Sequence, residues 1–574
     1  MKTIRGRNDL IKVTCYLLMN ETNALTSSTA WSDSAPDTSF WSMLTQTILP
    51  PYVNTCRWFA GKARQQTGFV IKTVHTLQLS GHDVAYLAIL EASYTEGVPE
   101  NYLLPLSFIP DSSAETLTHI PEKGRIGEIT LAGQTGLLID AIYDERFRRA
   151  LFTNVYANTT IPQAGGKLVF NRGKGLEEGD GDLPSQVLPV DSSNSAMTYG
   201  DKYFLKLYRK LFQETNPEVD MVAFLTDKSN FSHIPAFGGS IIWQQSNSAD
   251  ITLGMVQRMV PNDKDSWMQT GDYLNDFLYG VPERMFAIRE DVFDKVELLG
   301  QRTGEMHCAL YKPVRDGEAS DPAFAPEPFT DEYRAFIIKR IEDLLERRYA
   351  LLVDNYTKLD PQAQRLAWVF MEAREMIENF IADFRTRPLE SLRIRIHGDY
   401  HLGQVLATST DFVMIDFEGE PESTITERKI KHSPLKDVAG MIRSYHYAVS
   451  SKLFNSSETE GLDARHLERV SDRWFSLIRS TFLDAYLDVF GAPHPLFKNN
   501  TEINFLLLIY LLEKAVYELG YEISYRPSWV KIPLKGILNV IREIEKIRLS
   551  DGSATSDIPM LQTNLLQPTP GQDS

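Results

Sequence analysis

Residues 393–421, RIRIHGDYHLGQVLATSTDFVMIDFEGEP, crowd together side chains that exchange protons or hold metal ions: His397, Asp399, His401, Gln404, Asp416, Glu418 and Glu420. Asp399 and Gln404 are five apart, and Asp416 follows twelve later. Phosphoryl transfer from ATP needs a carboxylate that orients a hydroxyl and takes its proton, and oxygen ligands that hold magnesium on the phosphates. A carboxylate, a side-chain carbonyl and a second carboxylate in this order have the layout of a kinase catalytic loop. Asp399 is then the candidate base, and Gln404 and Asp416 the candidate magnesium ligands. His397 and His401 read as bracing histidines, and Glu418 and Glu420 are open between structural and second-metal roles.

Such a loop must be mounted on rigid elements. The apolar runs Arg393 to Ile396 and Phe412 to Ile415 read as a short hairpin or a pair of buried strands inside a helical region, with HGDYHLGQ in the loop ahead of one. Phosphates also need a cradle elsewhere in the chain. DSSNSAMTYGDKYFLKLYRK, 191–210, offers a small polar turn (Ser193, Asn194, Ser195) whose backbone N–H groups suit phosphate. An alternating strand carrying Lys206 follows it. Lys206 needs an acidic partner on a helix, for which NPEVDMVAFL supplies Glu218 and Asp220. The strand VQRMVP, with Gln257 and Met259, reads as a connector walling the adenine.

Composition frames these sites. The chain has 574 residues, 43% hydrophobic and 24% charged, enough for two to four domains. A net charge of -17 repels phosphate backbones and anionic lipid, so neither nucleic acid nor membrane is an expected partner. Three scattered cysteines indicate neither a disulfide framework nor structural zinc, which points to the cytoplasm. The longest apolar run, FLLLIYLL at 505–512, is far below membrane-spanning length. The pattern gives an α+β chain, sheet-rich first and helix-rich second. We expect a flexible leader over 1–38, a cap subdomain over 39–135, a nucleotide-binding lobe over 136–262, a helical lobe over 263–550 and a disordered tail over 551–574. LLIDAIYDERFRRALFTNVYAN reads as a helix. PQAQRLAWVFMEAREMIENFIADFRTRP reads as one amphipathic helix with Leu366, Phe370, Ile377 and Phe384 on a single face.

The blocks HGDYHLGQVL, IDFEGEP, SPLKDVAGMIRS, RWFAGKAR, SNSAMTYGDKYFLKLYRK and YRPSWVKIPL together resemble the bacterial maltokinases, in the superfamily of aminoglycoside and choline phosphotransferases. The resemblance covers about residues 40 to 548. It implies a bilobal protein-kinase-like fold with an N-terminal cap, and transfer of the γ-phosphoryl of ATP, with Mg2+, to the anomeric hydroxyl of maltose. It matches Asp399 to the base, Gln404 and Asp416 to the metal ligands and Lys206 to the phosphate-pairing lysine. Its usual glutamate stands where this chain has Asp220, so Asp220 is favoured over Glu218 as the lysine's partner. Sugar binding in the C-terminal lobe draws attention to Lys514 and Tyr517, spaced for one helical face, and to Arg443. A separate trehalose synthase chain is the implied partner.

Other readings compete. A different sugar, an aminoalcohol or an aminoglycoside can be the acceptor of the same loop; Tyr517, Tyr521, Tyr525 and Trp529 favour a sugar. Glycoside hydrolysis also uses paired carboxylates, yet it leaves Lys206 and the Ser/Asn turn without a role. A binding protein that keeps the fold has no need of Asp399, Gln404, Asp416 and Lys206 together.

Overall fold

The structure, a computed structural model, describes residues 25–189, 193–262, 264–280, 288–314, 321–455, 463–491 and 494–550. The tail expected over 551–574, and residues 1–24 of the leader, lie outside the described residues. Two compact units divide the chain, one running to Ala223 and including Ala236–Met259, the other holding Phe224–Pro235 and everything from Val260.

The first unit contains two seven-stranded sheets. One has the order β1-β5-β6-β4-β3-β2, from β1 (Leu25–Ser27), β2 (Gln66–Gln78), β3 (Val84–Tyr94), β4 (Glu100–Pro110), β5 (Arg125–Leu131) and β6 (Gln134–Asp140). The end of the expected leader is therefore built in: β1 pairs in parallel with β5, and Trp31 is buried. Asp37 starts the helix Thr38–Gln46 by accepting from the N–H groups of Ser39 and Phe40, which satisfies two otherwise orphaned donors. Phe40, Trp41 and Leu44 from that helix bury against Tyr86 and Tyr102 of the sheet.

The long helix expected from residue 137 begins only at Glu145, because Gly136 to Asp140 pair with β4 as strand β6. The expected boundary at 135/136 thus falls inside a strand. Asp144 then caps the helix Glu145–Tyr156 through Arg146 N–H. The second sheet runs β7-β8-β13-β14-β11-β10-β9, from β7 (Thr160–Gln163), β8 (Gly166–Arg172), β9 (Ser185–Val187), β10 (Ser195–Tyr199), β11 (Tyr203–Leu207), β13 (Phe237–Gln245) and β14 (Ile251–Arg258), while β12 (Lys210–Leu211) joins β4. In β11 the period of two buries Tyr203, Leu205 and Leu207 in the core, which leaves Lys206 on the opposite face.

The second unit is mainly helical. Its central helix, Asn500–Tyr525, carries the apolar run 505–512 and is buried on nearly all sides by Asp331–Asn355, Leu435–Asn455 and Lys531–Ser550. The single helix expected over 361–388 is two helices, Pro361–Glu372 and Arg374–Thr386, broken at Ala373, where ψ reaches 2°. The buried face still includes Leu366, Phe370, Ile377 and Phe384. The expected strand pairing also differs. Phe412–Met414 (β19) pairs with Val405–Ala407 (β18), whereas Leu392–Arg393 (β17) pairs with Glu327–Pro328 (β16) and Ile394 bridges His432. The HGDYHLGQ segment therefore leads into the hairpin rather than crossing it. Among the described residues no helix is long and apolar enough to cross a membrane.

Candidate active site

The segment between Ile396 and β18 is held from behind. His397 N–H and Gly398 N–H donate to the two carboxylate oxygens of Asp437, at 2.8 and 2.9 Å. Asp437 is buried in the helix Leu435–Asn455 and also meets His307 Nε2 at 3.1 Å, while His307 Nδ1 lies 3.0 Å from the Tyr486 hydroxyl. Burial pushes the Asp437 carboxyl up, but the bonds from His307 and Gly398 outweigh it and hold it below the usual carboxylate value. Gly398 turns the chain at φ +88°, a left-handed conformation that costs glycine little. Both loop histidines are used structurally: His397 Nε2 lies 2.9 Å from the Ile415 carbonyl, and His401 Nδ1 accepts from Gly403 N–H.

This frame projects Asp399 into a cavity of about 400 Å³ in the second unit. Lys514 Nζ stands 3.2 Å from Asp399 Oδ1, and Lys514 and Tyr517 both line that cavity. Burial pulls the Lys514 ammonium down, yet Asp399, Glu420 and Glu518 outweigh it and raise its pKa. Arg443, expected in the same pocket, does not line it. It is buried in the helix Leu435–Asn455, where its guanidinium takes Glu518 Oε2 at 2.5 and 3.0 Å and packs over Gly536. Its role is to tie helices together.

The cavity floor is a ring of alternating charge that sequence spacing did not reveal. Arg340 holds Glu420 at 2.6 Å and Glu513 at 2.8 Å, and Lys436 lies 3.8 and 3.5 Å from the same two carboxylates. For Glu420, burial raises the pKa, but Lys436, Lys514 and Arg340 together hold it well below the usual value. The structure thus gives Glu420 a place in a paired network. Arg340, Lys436 and Glu513 come from three separated helical segments, so no local motif marked them.

Gln404 and Asp416 are brought together, with Gln404 Nε2 2.9 Å from Asp416 Oδ2. Asp416 sits at φ +66°, a conformation uncommon for a non-glycine residue and concentrated at functional sites. A carboxylate and an amide, both offering hard oxygen, fit magnesium, which takes one or two protein carboxylates and completes its shell with phosphates and water.

In the first unit Lys206 Nζ pairs with Glu218 Oε2 at 3.0 Å, and the Tyr208 hydroxyl donates to the same oxygen at 2.8 Å. The favoured partner, Asp220, is thereby corrected to Glu218. Asn216 fixes this choice by accepting Glu218 N–H at the start of the helix Pro217–Lys228, and Asp220, two residues on, points roughly 200° around the helix axis. Two side chains of the polar turn are engaged with Arg209. Ser195 is the first residue of β10 and its Oγ accepts from Arg209 Nε, while Asn194 Oδ1 accepts Arg209 N–H. Both side chains therefore brace Arg209, and of the three residues only Ser193 is exposed. Gln257 lies in β14 opposite Phe204, and Met259, just past that strand, is 39% exposed with its N–H on the Lys202 carbonyl.

Residues 52–144 match the family described as the maltokinase N-terminal cap domain. A curated glucosamine kinase of Streptacidiphilus jiangxiensis is 23% identical over 363 residues, covering 62% of this chain and 73% of that protein. One of Mycolicibacterium smegmatis is 23% identical over 349 residues, covering 60% and 77%. Among solved structures, a glucosamine kinase in complex with glucosamine, ADP and inorganic phosphate superposes with a TM-score of 0.59 at 18% identity, over 87% of this chain and 99% of that one. A second crystal form of a glucosamine kinase gives 0.58. These structures share the α+β fold. The chain is a homologue of the glucosamine kinases whose N-terminal part matches the maltokinase cap domain.

Proposed function

We propose that this protein is an ATP-dependent sugar kinase that phosphorylates maltose at its anomeric hydroxyl, releasing ADP and maltose 1-phosphate. The observation that carries this reading is Asp399 on the wall of a cavity it shares with Lys514 and Tyr517. In the reaction the sugar oxygen forms a bond to the γ-phosphorus as the bond to the ADP oxygen breaks, and the hydroxyl proton passes to Asp399. Proton transfer comes late, because the transition state is loose and positioning supplies most of the acceleration. Lys514 holds the Asp399 carboxylate in place until a hydroxyl competes for it, and Tyr517 offers a face for the sugar ring. Lys206, fixed by Glu218, neutralises nucleotide phosphate charge. Gln404 and Asp416 are the residues that would hold magnesium, whose bound charge offsets that of the phosphates.

The cavity's charges favour a neutral acceptor. Most of its carboxylates are engaged: Glu420 and Glu513 with Arg340 and Lys436, Asp399 with Lys514, Asp343 with Lys339, and Glu427 with the N–H of Thr424, while Glu422 acts on Arg348 by charge alone. An ammonium-bearing acceptor needs negative charge that is not already paired. Glucosamine remains the second reading, favoured by the relatives that bear its name. A reducing cytoplasm, with a trehalose synthase supplying maltose, is the setting this proposal implies. Incubation with ATP and magnesium against maltose, glucose, trehalose, glucosamine and an aminoglycoside, read by ADP release and by phosphorus NMR of the product, tests it. Maltose is expected to be consumed; turnover of glucosamine alone overturns the first reading in favour of the second.

A further inference from the structure

Arg348, on the helix Asp331–Asn355, crosses the central helix Asn500–Tyr525 at Gly520. A Cβ at Gly520 would overlap the Nε and Cζ of Arg348, so the guanidinium lies where a side chain of any other residue would be. Glycine inside an exposed helix costs about 1 kcal/mol relative to alanine, and here the space it leaves is occupied by the arginine. Arg348 lines the same cavity as Asp399, Lys514 and Tyr517. Its Nε is closed off from solvent and has no hydrogen-bond partner. Most of the other lining cations, namely Lys339, Arg340, Lys436 and Lys514, are paired with carboxylates. Sealed against Gly520, Nε is beyond a ligand's reach, and among the described residues no carboxylate holds the guanidinium by a hydrogen bond or salt bridge, so the terminal nitrogens of Arg348 are the donors that something entering the cavity can take up.

Position along the helix says which part of a ligand that is. Lys514, on the reacting carboxylate, and Gly520 are six residues apart, about 9 Å along the axis. That separation exceeds the width of one pyranose ring. We propose that Arg348 is a specificity-determining residue that donates to oxygens of the second, non-reacting ring of a neutral disaccharide acceptor. The inference rests on the sugar-kinase reading above and names what sets its acceptor length. A guanidinium has donors and no acceptor, so it engages hydroxyl and acetal oxygens and repels an ammonium at the same place.

Arg348→Ala, Arg348→Gln, Arg348→Lys and Gly520→Ala separate this role from a packing role. In Arg348→Ala the KM for maltose is expected to rise roughly tenfold or more with kcat nearly unchanged, the pattern of lost binding energy remote from the reacting atoms. The KM for ATP, and kcat/KM for glucose, stay at the parent values. Arg348→Lys restores part of the loss, and Gly520→Ala reproduces it by displacing the guanidinium without altering its chemistry. Nucleotide affinity by calorimetry verifies folding, and Arg348→Gln replaces Arg348→Ala if the latter does not fold. Unchanged maltose KM in a folded variant, or equal losses on glucose and maltose, overturns the role of Arg348 and leaves the kinase reading standing. A parent enzyme that turns over no sugar overturns both; one that takes glucosamine but not maltose overturns the maltose reading and the role of Arg348 with it.

Discussion

Lys514 Nζ and Asp399 Oδ1 are 3.2 Å apart, joining the middle of the central helix to the loop His397–Gln404. Each is partly buried, at 22 and 19% side-chain exposure. The ammonium that holds this carboxylate belongs to the same helix that lines the cavity beside it. On the proposed function, alignment of the base and recognition of the acceptor become properties of one helix.

Asp399→Asn is expected to keep the fold and ATP affinity while turnover falls by roughly two to four orders of magnitude. The amide preserves the shape of the carboxylate and cannot take the proton. Steady-state ADP release, beside nucleotide titration of the same sample, measures this, and near-normal turnover refutes the assignment of the base.

Glu218→Gln and Asp220→Asn form a matched pair. Glu218 accepts from both Lys206 and Tyr208, so losing its charge weakens the hold on the lysine. KM for ATP is expected to rise about tenfold in Glu218→Gln, with lower kcat, since removing the charged member of a partly buried pair costs at least about 1.5 kcal/mol. Asp220→Asn should raise the KM for ATP by less than Glu218→Gln does. The reverse ranking contradicts the pairing seen here.

Asp416→Asn tests the metal. Asparagine tolerates the left-handed backbone at φ +66°, so the loop keeps its path while one anionic ligand is lost. The magnesium concentration for half-maximal activity should rise roughly tenfold or more, and excess magnesium should recover part of the rate. A magnesium titration identical to that of the parent removes Asp416 from the ligand set.

His75 carries a pH signature. It lies under Trp243 with ring centroids 4.0 Å apart, neither ring nitrogen has a partner, and burial holds its pKa down at about 4. Below about pH 6.5 the unfolded chain takes up a proton that the native chain refuses, so this stability is complete above 6.5 and is lost as pH falls toward 4. His432 and His446, lowered by burial and by nearby cations, act in the same direction. His75→Phe should flatten the fall of the denaturation midpoint between pH 6.5 and 4, by up to about 3 kcal/mol at the acid end. Parallel curves for the two proteins refute it.

What could be read from the sequence was what depends on short-range spacing. The HGDYHLGQ and IDFEGEP segments put Gln404 beside Asp416, and Asp399 on the same loop, because a loop and the strands after it fix their relative positions locally. The period of two around Lys206 exposed the lysine for the same reason. Choices made by tertiary packing were hidden. Glu218 and Asp220 share one helical turn, and only the Asn216 cap and Tyr208 decide between them. By sequence Arg443 is a weaker candidate than Lys514, and Glu518 and the notch at Gly536 claim it. The ring of Arg340, Glu420, Lys436 and Glu513 draws on residues up to 173 positions apart. Ser195 and Asn194 have phosphate-binding composition, and spacing gave no hint that their side-chain oxygens also brace an arginine one strand away.

That arginine has a wider consequence. Arg209 is fully buried and binds Asp140 and the Leu103 carbonyl from the first sheet and Ser195 from the second, with Trp58 against its guanidinium. A chain cut after residue 144, where the match to the cap family ends, would strand this cation in an apolar core without its counter-ion. The cap is consequently not a detachable accessory: its sheet and the second sheet must be inherited, transplanted or trimmed as one piece.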